Sequence, residues 1–547
     1  MKKWNIINKL KNNGAEKDIV KILLANRGIK TKKDIEEFIN PKLTSVTLES
    51  VGIDKKEVKK TIVRIEKAIK KNETIVIYGD YDVDGICGTA ILWETIYGFY
   101  KNVTPYIPHR VEEGYGLSIK GIENLKNKNC RLIITVDNGI VAYDAIEYAK
   151  KEGIDIIVTD HHLPSKKELN AYAVVHTTQL CGTSVAYLLS REISKDRSLE
   201  SSELNHLDLV ALATVADMVP LVGANRALLK FGLDSLRETR RVGLLSLFSA
   251  SGIEKEKIGT YEIGYIIAPR LNAAGRMEHA IDGLRLICTT DKNRAAILAK
   301  KLNETNKDRQ ILTEEMRLHA EEISEKISTS EKIIFVYDKS YNQGVVGLVA
   351  SRLVEKHYRP SFVVSVGEKL SKGSARSIKG CNIIEFIRKF QHFLIDTGGH
   401  PMAAGFTIET SKIEIFKKAL EEHGKEIIKD EQLIKSLDID LEFNFNQITF
   451  EMFESIQKLL PFGMKNPEPV FLTKNVTVSD IKTVGKDGKH LKLLLEKNGK
   501  KILGIWFGNG KNDMKIGKEV DVVYTIDSNY WNGESKLQLK IKDVGKT

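Results

Sequence analysis

Three short apolar runs in this chain each end in acids or imidazoles. Residues 75–78 lead through Gly79 into Asp80, Asp82 and Asp84; residues 132–136 lead into Asp137; residues 156–159 lead into Asp160, His161 and His162. A fourth cluster, residues 216–221 with Asp217, follows the apolar stretch 207–215. Carboxylates packed together raise one another's pKa, and a bound cation is the natural relief. Carboxylate and imidazole donors without thiolate suit Mn²⁺ or Mg²⁺ better than structural zinc, and alternate acids at 80, 82 and 84 could serve two ions about 3.5–4 Å apart. A lone Asp-x-Asp is more often a turn or a cap, so the weight rests on the ordered set.

The elements that must position these groups are legible around them. Runs at 74–78, 131–136, 155–159 and 171–176 are rich in Ile and Val, have strand length and alternate with helical stretches. This is the pattern of a buried parallel sheet, whose ligands sit beyond the carboxyl ends of its strands. Residues 291–327 carry no Gly or Pro and keep helical spacing, long enough for a strut of roughly 50 Å between domains. A second α/β unit opens near 332 and contains glycine-rich stretches at 344–347 and 398–405. Beyond 436 about five short strands suggest a small barrel, of which the OB-fold is the commonest nucleic-acid-binding kind. The fold expected is α/β multidomain: a helical lead-in over 1–70, a parallel-sheet domain over 71–290, a connecting helix over 291–328, a second α/β domain over 329–432 and a β-barrel over 436–547.

Composition narrows the class. The 547 residues allow about three to five domains, and 42% hydrophobic with 29% charged residues excludes collagen-like and wholly disordered chains. A net charge of +11 weakly favours a polyanionic partner. No apolar run approaches the ~20 residues of a membrane span, and Met1-Lys2-Lys3 is followed by Trp4, Asn5 and Asn8 where an export signal needs an apolar stretch. A cytoplasmic protein with no membrane partner is expected. Cys87, Cys130, Cys181, Cys288 and Cys381 lie far apart with no Cys-x-x-Cys, which reads as reduced core thiols.

The stretches DYDVDG (80–85), VDNG (136–139), DHH (160–162) and ADMVPL (216–221) resemble, in order, the four motifs of the DHH phosphoesterase superfamily. Within it the closest likeness is to the RecJ family of single-strand-specific 5′→3′ exonucleases. PHR (108–110) with EGYGL (113–117), RLNAAGRM (270–277), GSARSI (373–378), GGHPMAAGF (398–406) and GKDGKHLK (485–492) extend the resemblance over nearly the whole chain. It implies that Asp80, Asp82 and Asp84 bind two divalent ions, Mn²⁺ or Mg²⁺, that Asp137 bridges them, and that His161 and Asp217 complete the second site. His162 would face the substrate phosphate or support the ligands around the ions. The second α/β unit resembles DHHA1, and Ser374, Arg376, Arg110, Arg276 and His400 would grip the terminal 5′-phosphate and the next backbone groups. Arginine suits that task because its planar fork pairs two phosphate oxygens.

Tyr115, Trp506, Phe507, Tyr530 and Trp531 are candidates for stacking on unpaired bases, with core packing favoured for Phe507. The implied activity is hydrolysis of single-stranded DNA from its 5′ end to 5′-mononucleotides in recombination and repair. The implied assembly is a monomer, with single-strand-binding protein and a helicase as partners by analogy.

The sequence also departs from the family pattern. Tyr341-Asn342 stands where Trp-His is usual, Pro401 replaces a small residue, and Met464-Lys465 replaces Glu-Gly. Asn342 puts any contact made there by a histidine in doubt. Two other readings stay open: a superfamily hydrolase for short oligonucleotides, cyclic dinucleotides or pyrophosphate, and a non-catalytic single-strand-binding scaffold. The first generally lacks a barrel and a lead-in, both expected here, and the second is opposed by the presence of all six proposed ligands.

Overall fold

The computed structural model describes residues 2–8, 19–110, 112–126, 130–197, 206–512, 514–531 and 534–546. The first sheet has five parallel strands in the order Val103–Tyr106, Thr74–Tyr78, Cys130–Thr135, Asp155–Asp160, Ala173–His176. Its Ile and Val side chains are buried on both faces, against the helices Val83–Phe99 and Gly182–Asp196 on one side and Ile119–Lys126 and Tyr143–Lys151 on the other. The chain leaves Thr74–Tyr78 toward one edge and returns to the other side of that strand through Cys130–Thr135. The order of the strands therefore reverses between these two, and a crevice opens there at their carboxyl ends.

The helix Lys292–Glu325 has Asp291 as its N-cap, the carboxylate accepting from Arg294 N at 2.9 Å. Over about 50 Å it lays Ala295, Ala299 and Leu302 on the first core and Met316 and Ala320 on the second. The second unit is a mixed sheet in the order Leu394–His400, Ala403–Glu409, Leu370–Arg376, Ser361–Ser365, Ile334–Asp338, parallel only in its last pair.

The barrel closes through Phe471–Val484, His490–Lys497, Lys500–Trp506, Glu534–Lys546 and Glu519–Trp531, the last pairing back on the first. Its longest strands outrun the sequence reading because bulges at Thr473/Val476, Val478/Asp480 and Val523/Tyr524 interrupt the alternation that marks a strand.

The lead-in expected to be helical opens instead on a strand, Lys3–Asn8, parallel to Ser436–Glu442 at the margin of the barrel sheet. Leu23, Leu24 and Phe38 of the next two helices pack into the barrel core beside Leu441 and Phe471, while the helix Lys55–Lys70 packs on the parallel sheet. Six residues with a partner far away in the sequence carry too little periodicity to announce a strand.

Candidate metal centre and nucleotide pocket

Asp82 N-caps the helix Val83–Phe99, its carboxylate accepting from Asp84 N at 2.9 Å and Gly85 N at 3.1 Å. This turns the acids at 80 and 84 inward, where both are buried. Asp84 accepts from the amides of Gly182 and Thr183, each at 2.7 Å, at the N-terminus of a second helix whose dipole favours the carboxylate. Asp137 sits just past its strand at φ 62°, its amide donating to Thr159 O at 3.0 Å, so its side chain turns back over the sheet end. His161 Nε2 lies 3.0 Å from Asp137 Oδ1, 3.8 Å from Asp84 Oδ2 and 3.7 Å from Asp217 Oδ2. Asp217, expected to follow a helix, is the C-cap of Leu207–Ala216.

The donor atoms fall into three overlapping groups, each within 4.8 Å: Asp80, Asp82 and Asp137; Asp84, His161 and Asp217; Asp137, His161 and His162. Asp80 Oδ1 and Asp137 Oδ1 are buried without a hydrogen-bond partner. Burial, together with the neighbouring acids, pushes Asp80, Asp82 and Asp137 above the usual carboxylate range and Asp217 up to about 9. Orphaned acceptors and mutually repelling acids, all hard oxygen or imidazole donors, fit divalent Mn²⁺ or Mg²⁺.

Two residues have positioning roles that the sequence did not assign. Asp160 Oδ1 accepts from the amides of His161 and His162 at 2.7 and 3.1 Å and lies 2.8 Å from His162 Nδ1, and its other oxygen accepts from Ile140 N at 2.9 Å. Burial alone would raise Asp160; the His162 ring and these amides hold it below the usual range. Gly182 is the second: a Cβ there would stand 2.6 Å from Asp137 Cβ. The acid in the DHH stretch could have signalled the first role, whereas nothing local marks Gly182.

His162 joins the two α/β units. Tyr115 OH, which donates to Asp137 O at 3.1 Å, lies 3.3 Å from His162 Nε2, and the His162 ring faces that of His400 with centroids 5.9 Å apart. His400 ends the edge strand Leu394–His400, where Gly398 leaves the backbone open.

The predicted arginines also converge. Arg110 lies over the Tyr81 ring at 4.8 Å, and its charge reaches Asp80. Arg276 donates to Gly344 O at 3.2 Å, and Arg376 donates to Ser374 Oγ at 2.9 Å. Burial, reinforced by Arg110, Arg309 and Arg376, lowers Arg276 to about 10. Among the described residues none of Arg110, Arg276 and Arg376 has a carboxylate partner. The glycines at 344 and 347 make room for them: a Cβ at Gly344 would stand 2.1 Å from Arg276 O, and one at Gly347 2.8 Å from Arg376 Nη2.

The aromatic candidates fall differently. Trp506 is buried in the barrel core, because its side of the strand faces inward, which removes it as a stacking platform. Phe507, favoured for packing, is 53% exposed, in the turn that follows the strand. The side chains of Tyr530 and Trp531 lie outside the described residues. Asn342 Oδ1 accepts from Gly344 N at 2.8 Å, so the amide closes the turn whose carbonyl holds Arg276. Met464 O accepts from Leu221 N at 2.8 Å, tying this departure to the loop that carries Asp217.

The class of protein follows from this arrangement and from three sequence profiles: the DHH family N-terminal domain over residues 74–214, the DHHA1 domain over 330–426 and the RecJ OB domain over 439–543. The chain is 35% identical to the single-stranded-DNA-specific exonuclease RecJ of Bacillus subtilis, over 96% of this chain and 68% of that one. It is similar to the crystal structure of Thermus thermophilus RecJ in complex with Mn²⁺, with TM-score 0.85 and 28% identity over 100% of this chain and 80% of the other. The Mg²⁺ complex of RecJ from the same organism gives 0.77 and 27% over 100% and 78%. The chain belongs to the RecJ family.

Proposed function

We propose that this chain hydrolyses single-stranded DNA from the 5′ end, releasing 5′-mononucleotides. The observation that carries this reading is the juxtaposition of the acid and histidine groups with three arginines, 110, 276 and 376, that lack carboxylate partners among the described residues. Asp80, Asp82 and Asp137 would hold one ion, and Asp84, His161 and Asp217 would complete the second site with Asp137 shared. Bound Mn²⁺ or Mg²⁺ supplies Lewis acidity and neutralises charge on the phosphate oxygens.

The chain's own residues do the rest. Asp160 fixes His162 by Nδ1 and leaves Nε2 facing the cleft beside Tyr115. Arg110, Arg276 and Arg376, with Ser374 and His400, receive the terminal phosphate, which carries about two negative charges and is thereby told from an internal diester with one. Placing that phosphate sets which bond lies over the acids, and hence the polarity. Tyr115, 51% exposed, can stack on an unpaired base. The barrel would grip the strand further on.

Among the described residues no helix is long and apolar enough to cross a membrane. By family analogy the enzyme acts as a cytoplasmic monomer in recombination and repair, with single-strand-binding protein and a helicase as partners. The test is digestion of 5′- and 3′-labelled single strands with Mn²⁺ or Mg²⁺, beside duplex and Asp137→Ala. Labelled mononucleotide released at once from the 5′ end only, and lost in the variant and on duplex, is expected. A strand that binds but stays intact with either metal would overturn the reading.

A further inference from the structure

Asp217 is the one proposed ligand that does not follow a strand of the parallel sheet; it caps the helix Leu207–Ala216. The carboxylates of Asp82 and Asp84 are oriented by backbone amides, whereas among the described residues no amide reaches that of Asp217, which faces His161 Nε2 at 3.7 Å. The next residue, Met218, holds φ 56°, a backbone region that a residue with a side chain keeps only where its surroundings impose it.

Those surroundings include the segment 459–466, which precedes the barrel strand Phe471–Val484. Leu221 N donates to Met464 O at 2.8 Å, and the Leu221 side chain lies on Gly463, where a Cβ would stand 2.6 Å from Leu221 Cδ1. Leu221 belongs to the core of the parallel-sheet unit and Val222 packs on that of the barrel, so the two cores meet across one peptide link. Arg226, fully buried on the helix Gly223–Arg237, donates Nε to Phe38 O at 2.6 Å and Nη2 to Leu460 O at 2.7 Å, with its guanidinium 3.7 Å from the centre of the Phe38 ring. Among the described residues it has no carboxylate partner. Desolvating a guanidinium is costly, and here carbonyls, an aromatic face and the C-terminal end of the helix Lys32–Ile39 offset that cost. Asn225 beside it donates Nδ2 to Gln179 O at 2.8 Å, on the segment that leads to Gly182.

The segment 459–466 is itself braced from the barrel sheet. Asn466, buried, donates Nδ2 to Leu459 O at 2.8 Å and Pro461 O at 2.9 Å, and its Oδ1 accepts from Arg27 Nε at 3.0 Å. Arg27 pairs at 3.2 Å with Asp440, on the strand Ser436–Glu442. Gly463 and Asn466 exchange backbone bonds at 2.8 and 3.1 Å across the turn that presents Met464 O. Hydrogen bonds thus run without a break from the barrel sheet to the loop that carries Asp217.

We propose that the turn 459–466 of the barrel unit positions Asp217, with Arg226 as the positioning residue that fixes it there, so that the ion held by Asp84, His161 and Asp217 depends on the docked barrel and the ion held by Asp80, Asp82 and Asp137 does not. This rests on the proposed metal centre. The strand ends carry their own ligands in place, because the sheet fixes them. Asp217 stands on a loop between two cores, and its place is set by whatever fixes that loop to the second core.

The test reads metal binding directly. Mn²⁺ is titrated into the whole chain by electron paramagnetic resonance, for wild type, Arg226→Met, Arg226→Lys, Asp217→Asn and the double variant of Arg226→Met with Asp217→Asn. In Arg226→Met the ion that Asp217→Asn also weakens is expected to bind about tenfold less tightly, and the other within about twofold of wild type. The Lys variant should fall between Met and wild type. The double variant should bind no more weakly than Asp217→Asn alone, since both changes act through one ligand. Lys230→Met, which removes a bond from the next turn of the same helix to Ile39 O at 2.9 Å, should lower stability in urea and leave both affinities unchanged. Cleavage at limiting Mn²⁺ should fall by the same factor on a 5′-phosphorylated dinucleotide as on a long strand. Unchanged affinities in Arg226→Met, equal weakening of both ions, losses that add in the double variant, or the same loss in Lys230→Met would leave Arg226 a general support of the fold and overturn the proposal. A loss confined to long strands would assign the turn to strand grip and overturn it as well. If Arg226→Met fails to fold, Arg226→Lys carries the comparison. A wild-type protein whose Mn²⁺ binding is indifferent to Asp217→Asn would instead refute the metal centre itself.

Discussion

Replacing Gly182 with alanine is the sharpest perturbation of the metal centre that leaves every proposed ligand in place. Gly182 opens the helix Gly182–Asp196, donates its amide to Asp84 Oδ2 at 2.7 Å, and stands against Asp137. An added Cβ would come within 2.6 Å of Asp137 Cβ, 2.9 Å of its Cα and 2.9 Å of its Oδ1. Ordinary contact begins at 3.4 Å, so one partner must yield by about 0.8 Å. The helix start is fixed by its bonds to Asp84, and Asp137 is fixed by its backbone at φ 62°. The shift falls on the carboxylate shared by two of the three donor groups. Overpacking of this kind costs about 1–3 kcal/mol of stability, and misplacing a reacting group by about 1 Å costs about 10²-fold in rate.

Gly182→Ala is therefore expected to fold, to bind Mn²⁺ about 10–100-fold more weakly by electron paramagnetic resonance titration, and to cleave about 10²-fold more slowly. Gly98→Ala, with nothing within 4 Å of its Cβ, is the control and should match wild type. Wild-type Mn²⁺ affinity and cleavage in the Gly182 variant would refute the reasoning, because the methyl would then have been accommodated without moving Asp137.

Three further outcomes are expected. Arg376→Met should narrow the preference for a 5′-phosphorylated over a 5′-hydroxyl strand by about tenfold or more, since a charged hydrogen bond is worth about 1.5–3 kcal/mol; equal losses on both strands would contradict the pocket. Asp160→Ala strips the acceptor from three amides and the His162 ring, and should cost about 3 kcal/mol in urea denaturation. His206 is buried, and Arg241 donates to its Nδ1 at 2.9 Å; burial outweighs the pull of Glu94 and lowers its pKa to about 4. Between the unfolded value of about 6.5 and that value the unfolded chain binds a proton that the folded chain does not, so stability falls as pH falls through this window, by about 1.4 kcal/mol per unit. His206→Gln should thus lose about 2 kcal/mol less than wild type between pH 6.5 and pH 5.

What the sequence made legible was local. Strand runs ending in acids announced both the parallel sheet and Asp80, Asp137 and His161, because a buried parallel strand is a continuous apolar run and its end is a fixed place. The long helix could be read from the absence of breakers. Relations between distant segments were not legible: Gly182 matters because Asp137 lies against it, and Lys3–Asn8 is a strand because Ser436–Glu442 offers it an edge. Trp506 is buried and Phe507 exposed, the reverse of the expectation for packing, because register sets which residues of Lys500–Trp506 face the barrel core and Phe507 lies in the turn beyond it.

The strand Lys3–Asn8 also bears on how the molecule is born. Asn5 meets Asp438 across 433 positions, so this strand can find its place only after more than four hundred further residues have left the ribosome. At about 5–20 residues per second this is a wait of roughly 20–90 s, during which the parallel-sheet unit, whose strands all lie within residues 74–176, can already have closed. Throughout that interval Leu23, Leu24 and Phe38 have no barrel to enter. Stalled or prematurely terminated synthesis would then leave a closed parallel-sheet unit with Leu23, Leu24 and Phe38 uncovered, a product expected to aggregate through those side chains.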